Sequence, residues 1–116
     1  MREQLPRTVF ALLLGISLAM FLTPGEDVPK SGPDDQVMHL VIFMALAVAG
    51  RWAGVPWVAL AVGLVLYAGL TEVLQAVLPI DRHGDVRDFA ADVTGVALGL
   101  FLSWVALRVG RARGSV

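Results

Sequence analysis

Ionisable and amide side chains interrupt the apolar stretches of this chain, and they carry the groups that could do chemistry. His39 interrupts one apolar run, Glu72 and Gln75 lie near the end of another, and Asp92 lies near the start of a third. A carboxylate beside an imidazole can act as a general acid or base, and both groups can bind a metal ion. Because charge is costly inside a membrane-spanning segment, these residues are candidates for a functional site.

Apolar residues dominate the rest of the chain. Hydrophobic residues make up 57% of its 116 residues and charged residues 16%, and the mean hydropathy is +0.74. Soluble domains are nearer to half apolar and a quarter charged, so this composition is typical of a membrane protein. The net charge of −1 gives no indication of a nucleic-acid partner, and the absence of cysteine excludes disulfides and thiolate chemistry.

Turn-forming residues divide the chain into four apolar segments. We predict an all-α integral membrane bundle in one domain, residues 1–116, with transmembrane helices at about 8–23, 36–50, 56–78 and 88–108. The basic tail from Gly110 is expected to fray. The first segment could instead be a cleaved signal peptide, because a basic head precedes it. No small-residue cleavage site follows it, however, which favours a retained helix.

The distribution of basic residues predicts how the bundle is oriented. Four spans place both termini on one side, together with six arginines: Arg2, Arg7, Arg51, Arg108, Arg111 and Arg113. The other side has Lys30, Arg82 and Arg87, so the positive-inside rule predicts cytoplasmic termini. His39, Glu72 and Asp92 would then lie at a similar depth, roughly 6–10 Å below the outer boundary at 1.5 Å rise per residue. We therefore expect three helices to bring them into one outward-facing site.

Helical spacing aligns further polar and small residues with these three. Asp35 and His39 are four residues apart, which places them on one face of the second helix. A stripe at intervals of three and four follows one face of the fourth helix: Asp85, Asp88, Asp92, Gly95 and Gly99. Its glycine part permits close approach of a neighbouring helix. Its acidic part would then face the interior of the bundle.

Three of these segments resemble the motifs of the VanZ-like family. They are DDQVMH at 34–39, EVLQ at 72–75, and R-x-x-D-x-x-D-x-x-x-D-x-x-G-x-x-x-G from Arg82 to Gly99. The family pattern is D-K-x-x-H, E-x-x-Q and R-x-x-S-x-x-D-x-x-x-N-x-x-G-x-x-x-G. Eight positions match it: Asp35, His39, Glu72, Gln75, Arg82, Asp88, Gly95 and Gly99. Three depart from it: Gln36, Asp85 and Asp92.

The resemblance implies a small multi-pass protein of the bacterial cytoplasmic membrane with a role in the cell envelope. The best-known member of the family confers resistance to the glycopeptide teicoplanin. The three departures all make the site more negative, since a lysine is lost and two aspartates are gained. We expect this charge to be balanced by a bound cation or by carboxyls that stay protonated.

Each candidate residue also has a purely structural interpretation. Asp35 and Asp88 could cap helices, and His39 could simply bond to Glu72. Gln75 could link helices, although such bonds are worth only ~0.6 kcal/mol each in lipid. A gain this small does not explain why an ionisable residue, Glu72, lies at this depth in the membrane. Arg82 could be a solvated charge or a ligand for a headgroup phosphate, and the tryptophans are expected at membrane interfaces.

Three functions fit these residues. The first is binding or modification of an amphiphile at the outer leaflet: a lipid-linked wall precursor, a lipid headgroup or a lipoglycopeptide antibiotic. The second is a membrane hydrolase or transferase that uses a divalent cation, although no diagnostic metal spacing is present. The third is a non-catalytic assembly partner or a carrier subunit, which could form a homo-oligomer. We assign catalytic roles to Glu72, His39 and Asp92, ligand binding to Asp35, Gln75, Arg82 and Asp88, and helix packing to Gly95 and Gly99.

Overall fold

The computed structural model describes residues 4–25, 35–80 and 85–114, and four α-helices make up most of these ranges. They are α1 (Gln4–Phe21), α2 (Asp35–Trp52), α3 (Trp57–Val77) and α4 (Val86–Gly114). The described residues contain no strand, so the predicted all-α bundle of four helices is confirmed. Three of the helices, α1, α3 and α4, are long and apolar enough to cross a membrane.

Proline and glycine set the limits of α3. Pro56, with φ −57° and ψ 147°, occupies the position before its first turn, where a missing N–H costs nothing. Gly54 has φ 88° and makes the turn from α2, a backbone conformation that glycine adopts without strain. At the other end Leu78 is extended, with ψ 145°. This follows from Pro79, because the residue before a proline is disfavoured in the helical region.

Several predicted helix limits were displaced, most of all in α1 and α4. α1 begins at Gln4, not at residue 8, because Pro6 is tolerated in a first turn. α4 begins at Val86, two residues before the predicted start, and extends to Gly114, so the expected fraying from Gly110 was wrong. Arginines recur through this last stretch, and they are good helix formers.

Asp85 explains the early start of α4. Its Oδ1 accepts a hydrogen bond of 2.9 Å from the Arg87 N–H, and its carbonyl oxygen accepts bonds from the Asp88 and Phe89 N–H groups. The Asp85 side chain therefore satisfies one of the free donors at this helix end, the N–H of Arg87. The alternative in which Asp88 caps the helix was wrong.

α2 is the central element of the bundle and contacts the other three helices. It supplies three of the most buried apolar side chains, Phe43, Leu46 and Ala47. Outward-facing positions of the surrounding helices carry large apolar side chains, such as Leu66, which is 69% exposed. Such a surface matches lipid, because a water-soluble protein rarely exposes so much apolar area. α2 is not among the helices that qualify as spans on composition and length.

The closest helix approach joins α2 to α4 at two glycines. A Cβ atom on Gly95 would collide with the carbonyl oxygen of Leu40, and one on Gly99 would lie 2.5 Å from that of Met44. Only glycine permits this separation at the two positions. The close packing predicted from the Gly95-x-x-x-Gly99 spacing is present, and α2 is the partner helix.

We predict that Gly95→Ala destabilises the bundle by roughly 1–3 kcal/mol, because the added methyl group must push α2 and α4 apart. Gly63→Ala is the matched control, since a Cβ there has no neighbour within 4 Å. It should be neutral or slightly stabilising. Unfolding of the purified proteins in mixed detergent micelles, followed by circular dichroism, measures both. Equal stability of the two variants would contradict the packing argument.

Candidate functional site

The site is built around His39, one turn into α2. Its side chain is 1% exposed, and its Nδ1 atom lies 2.7 Å from Oδ1 of Asp92 on α4. Asp92 is completely buried. The ring of Phe21, the last residue of α1, stacks on the imidazole with centroids 4.6 Å apart. The imidazole is therefore held by a hydrogen bond at one edge and by an aromatic ring across one face.

Glu72 of α3 approaches the same imidazole without bonding to it. Its Oε1 lies 3.9 Å from His39 Nδ1, which is too long for a hydrogen bond. Its Oε2 accepts a bond of 2.9 Å from the backbone N–H of Asp85, which fixes the carboxylate against the start of α4. The alternative in which His39 bonds to Glu72 was wrong, because the glycine contact brings α4 closer and makes Asp92 the partner.

Two more carboxylates lie on the other edge of the ring. Oδ2 of Asp88, a side chain only 6% exposed, is 3.9 Å from His39 Nε2. Asp35, one turn before His39, is exposed. The ligand atoms of Asp35, His39 and Asp88 lie within 4.8 Å of one another, as do those of His39, Glu72 and Asp92. One imidazole thus separates two pairs of acids, and the convergence expected from the helix positions is present.

Gln75 is buried, and the nitrogen of its side-chain amide makes a structural contact. Its Nε2 donates a bond of 2.9 Å to the carbonyl oxygen of Phe21. That carbonyl belongs to the end of α1, where helix carbonyls lack partners within the helix. Gln75 therefore ties α3 to α1 and holds the Phe21 ring in its position over His39. Its ligand-binding role stays a prediction, and so does that of Arg82, which lies outside the described residues.

Several buried polar atoms of the cluster have no hydrogen-bond partner within the described residues. They are His39 Nε2, Glu72 Oε1, Gln75 Oε1 and Asp92 Oδ2. Buried polar atoms are usually paired, since an unpaired one costs free energy. These four atoms come from three helices, and three of them belong to the sets of possible ligands around His39. They can accept hydrogen bonds from hydroxyl or amine groups, or coordinate a cation.

Sequence reasoning missed two neighbours of this cluster. Phe21, the stacking partner of His39, is one of many apolar residues in its segment and carries no signal of its own. The Ser17 hydroxyl pairs with that of Tyr67 at 2.6 Å, deeper in the bundle. Ser17 and Tyr67 are each an isolated polar residue in an apolar run, and this is the sequence signal that could have predicted their contact.

The opposite end of the bundle has a different chemistry. The Arg51 guanidinium lies 3.9 Å from the centre of the Trp57 ring, and its Nη1 donates to the Val55 carbonyl oxygen at 2.7 Å. These two side chains, with Trp52 and Ser103, help to line a cleft of about 610 Å³, and none of its described lining residues carries a carboxylate. The tryptophans were predicted at an interface, but the cleft was not foreseen.

These features define a helical membrane-protein bundle with a buried histidine–carboxylate cluster near one end. No family model, no curated protein and no solved structure matches the chain.

We predict that the His39–Asp92 pair contributes more to stability than the His39–Glu72 pair. Double-mutant cycles with alanine should give a coupling energy of about 1.5–3 kcal/mol for the first pair, as for hydrogen bonds to charged groups. The second pair should give less, because its atoms are 3.9 Å apart. Unfolding in mixed micelles supplies the free energies. A larger coupling energy for His39 and Glu72 would contradict this prediction, because it would make Glu72, and not Asp92, the hydrogen-bond partner of His39.

Proposed function

We propose that this chain is a VanZ-like protein of the bacterial cytoplasmic membrane that binds or modifies the polar part of an amphiphile. The observation that carries the proposal is the meeting of three separate sequence segments at one imidazole. Asp92 lies 2.7 Å from it, and Glu72 and Asp88 lie 3.9 Å away on opposite edges. Structural roles alone do not require four carboxylates around one buried ring, because each buried charge costs free energy.

Charge at the two ends of the bundle supports an outward-facing site. The acidic residues of the cluster lie where α2 and α4 begin and α3 ends. Arg51, Arg108 and Arg111 lie toward the other ends of these helices. Basic residues collect on the cytoplasmic side of membrane proteins. The proposed orientation therefore puts the termini in the cytoplasm and opens the cluster toward the cell exterior.

The acceptor-rich cluster favours a particular kind of headgroup. Carboxylate oxygens accept hydrogen bonds from hydroxyl and amine groups, which sugars and peptides of wall precursors, lipid headgroups and lipoglycopeptides all carry. Apolar side chains cover the surrounding helix surfaces and suit the lipid part of such a molecule. In this proposal Glu72 acts as the base, with Asp92 orienting His39, and Arg82 receives a phosphate or carboxylate. A role in teicoplanin resistance follows from the resemblance.

A metal-dependent hydrolase or transferase is the second candidate. It is favoured by the two sets of three side chains whose ligand atoms lie within 4.8 Å of one another. Such an enzyme would use a bound ion to polarise a phosphoryl or carbonyl oxygen.

We predict that Glu72→Gln abolishes complementation of a strain that lacks this gene, and that Asp92→Asn weakens it, because an asparagine can still accept the His39 N–H but carries no charge. Both changes remove a charge and keep the shape of the side chain, so they test chemistry with little change in packing. Teicoplanin susceptibility and untargeted lipid analysis are the measurements. The Glu72→Gln strain should resemble the deletion strain, and the Asp92→Asn strain should lie between the deletion strain and wild type. Membrane abundance is checked by immunoblot. Gly63→Ala is the control, because its site on α3 is open.

Full complementation by both variants at normal abundance would contradict the proposed site. Loss of abundance together with loss of function would instead indicate a structural role. A lipid species that accumulates in the deletion strain and in both variants would identify the class of ligand.

A further inference from the structure

We propose that His39 Nε2, Asp88 and Asp35 bind one divalent transition-metal ion, with Asp92 as the residue that positions the ring. This inference rests on the function proposed above in one respect: the role of the ion, which would hold the polar head of the bound amphiphile. The contacts that support the ion site all lie within the described residues.

The contact with Asp92 determines which ring nitrogen is available. The ionised Asp92 carboxylate can only accept, and its Oδ1 lies 2.7 Å from His39 Nδ1, so with Asp92 ionised the proton of the neutral ring is on Nδ1. Nε2 of the neutral ring then has a free lone pair. It is buried and has no hydrogen-bond partner among the described residues. Metal-binding histidines almost always donate their other N–H to such an acceptor, which fixes the tautomer and raises the basicity of the ligand.

The distance on the Nε2 side fits two ligands of one ion. Nε2 and Asp88 Oδ2 are 3.9 Å apart, beyond the range of a direct hydrogen bond. Two atoms that each lie about 2.0–2.2 Å from the same ion can be separated by this much. Asp35 completes the set within 4.8 Å. Its side chain is exposed, so it can adjust its rotamer to reach the ion.

The charge around His39 also favours a cation. Four carboxylates surround one imidazole, and His39 is the only basic side chain buried within the described part of the site. Carboxylates that share a poorly solvated region repel one another, and a divalent ion lowers that cost.

The donor set points to a borderline ion. An imidazole nitrogen with carboxylate oxygens suits Zn²⁺, Mn²⁺ or Fe²⁺, whereas Ca²⁺ and Mg²⁺ prefer oxygen ligands alone. Three metal-binding side chains leave coordination positions free for water or for an oxygen atom of the bound amphiphile. The alternative set with Glu72 and Asp92 would need the Nδ1 atom, which the hydrogen bond already occupies.

Co²⁺ binding to the full chain in lipid nanodiscs tests the proposal. The protein is purified with a tag that lacks histidine, dialysed against a chelator and titrated with Co²⁺, whose visible spectrum reports nitrogen and oxygen ligation. Wild type should bind Co²⁺ stoichiometrically, and Zn²⁺ should displace it while Mg²⁺ should not. Asp88→Asn should abolish binding. Asp92→Asn should weaken it by roughly 10–100-fold, as for other residues that orient a metal-binding histidine.

Two further variants locate the ion. Asp85→Asn is the matched control, because this carboxylate lies in the same turn but outside both candidate sets, and it should bind as wild type does. Glu72→Gln should also retain the ion. Loss of Co²⁺ in Glu72→Gln but not in Asp88→Asn would overturn the proposed ligand set. If Asp88→Asn does not fold by circular dichroism, Asp35→Asn replaces it, since Asp35 is exposed.

Failure of this inference differs from failure of the proposed function. If wild type binds no Co²⁺ or Zn²⁺, the ion site is refuted even where Glu72→Gln and Asp92→Asn lose complementation. If the ion binds as expected and both variants complement fully, the ion site is supported and the proposed function is refuted.

Discussion

The hydrogen bond between His39 and Asp92 is the contact on which the site depends, and two glycines make it possible. At Gly95 and Gly99 the backbone of α4 lies against that of α2, closer than any side chain would allow. Asp92 lies one turn before Gly95 on the same face, so it meets His39 directly at 2.7 Å. In a membrane, helices gain little from apolar contact with each other, because lipid is equally apolar. Close backbone packing and one charged hydrogen bond therefore decide how these helices pair.

The remaining helices complete the site from the sides. α1 contributes the Phe21 ring over the imidazole, and Gln75 holds the end of that helix in place through the Phe21 carbonyl. α3 contributes Glu72, whose two oxygens have different surroundings. Oε2 is bonded to the backbone at the start of α4, and Oε1 is buried without a partner among the described residues. A carboxylate anchored through one oxygen presents the other in a fixed position, which is a useful arrangement for a base or a ligand.

Sequence reasoning predicted more of the site than of the helix ends. The depth of each residue along its helix, together with the spacing of three and four residues, was enough to predict that His39, Glu72 and Asp92 meet. Both quantities follow from regular helix geometry. They could not decide which carboxylate bonds to the ring, since that depends on how closely α4 approaches. The stacking of Phe21 had no signal at all. Helix limits were displaced where a local contact, such as the cap at Asp85, overrides the hydrophobic pattern.

Under the proposed VanZ-like assignment, the structure gives different roles to the three positions at which the chain departs from that family's pattern. Asp85 stands where a small polar residue is common, and its side chain accepts the Arg87 N–H at the start of α4. A serine could make the same contact, so this change is conservative for the fold. Gln36 is exposed, and a neutral residue there, where the proposed family pattern has a lysine, leaves the surroundings of Asp35 more negative.

Asp92 is the departure that alters the chemistry. An asparagine at this position could also accept a bond from the Nδ1–H of His39, but it would carry no charge. A carboxylate stabilises the proton on Nδ1 more strongly and makes Nε2 a better donor to a cation. The same carboxylate is costly to bury unless its charge is balanced. The departure that adds a fully buried negative charge to the cluster is therefore also the one that best prepares His39 to bind the ion that would balance it.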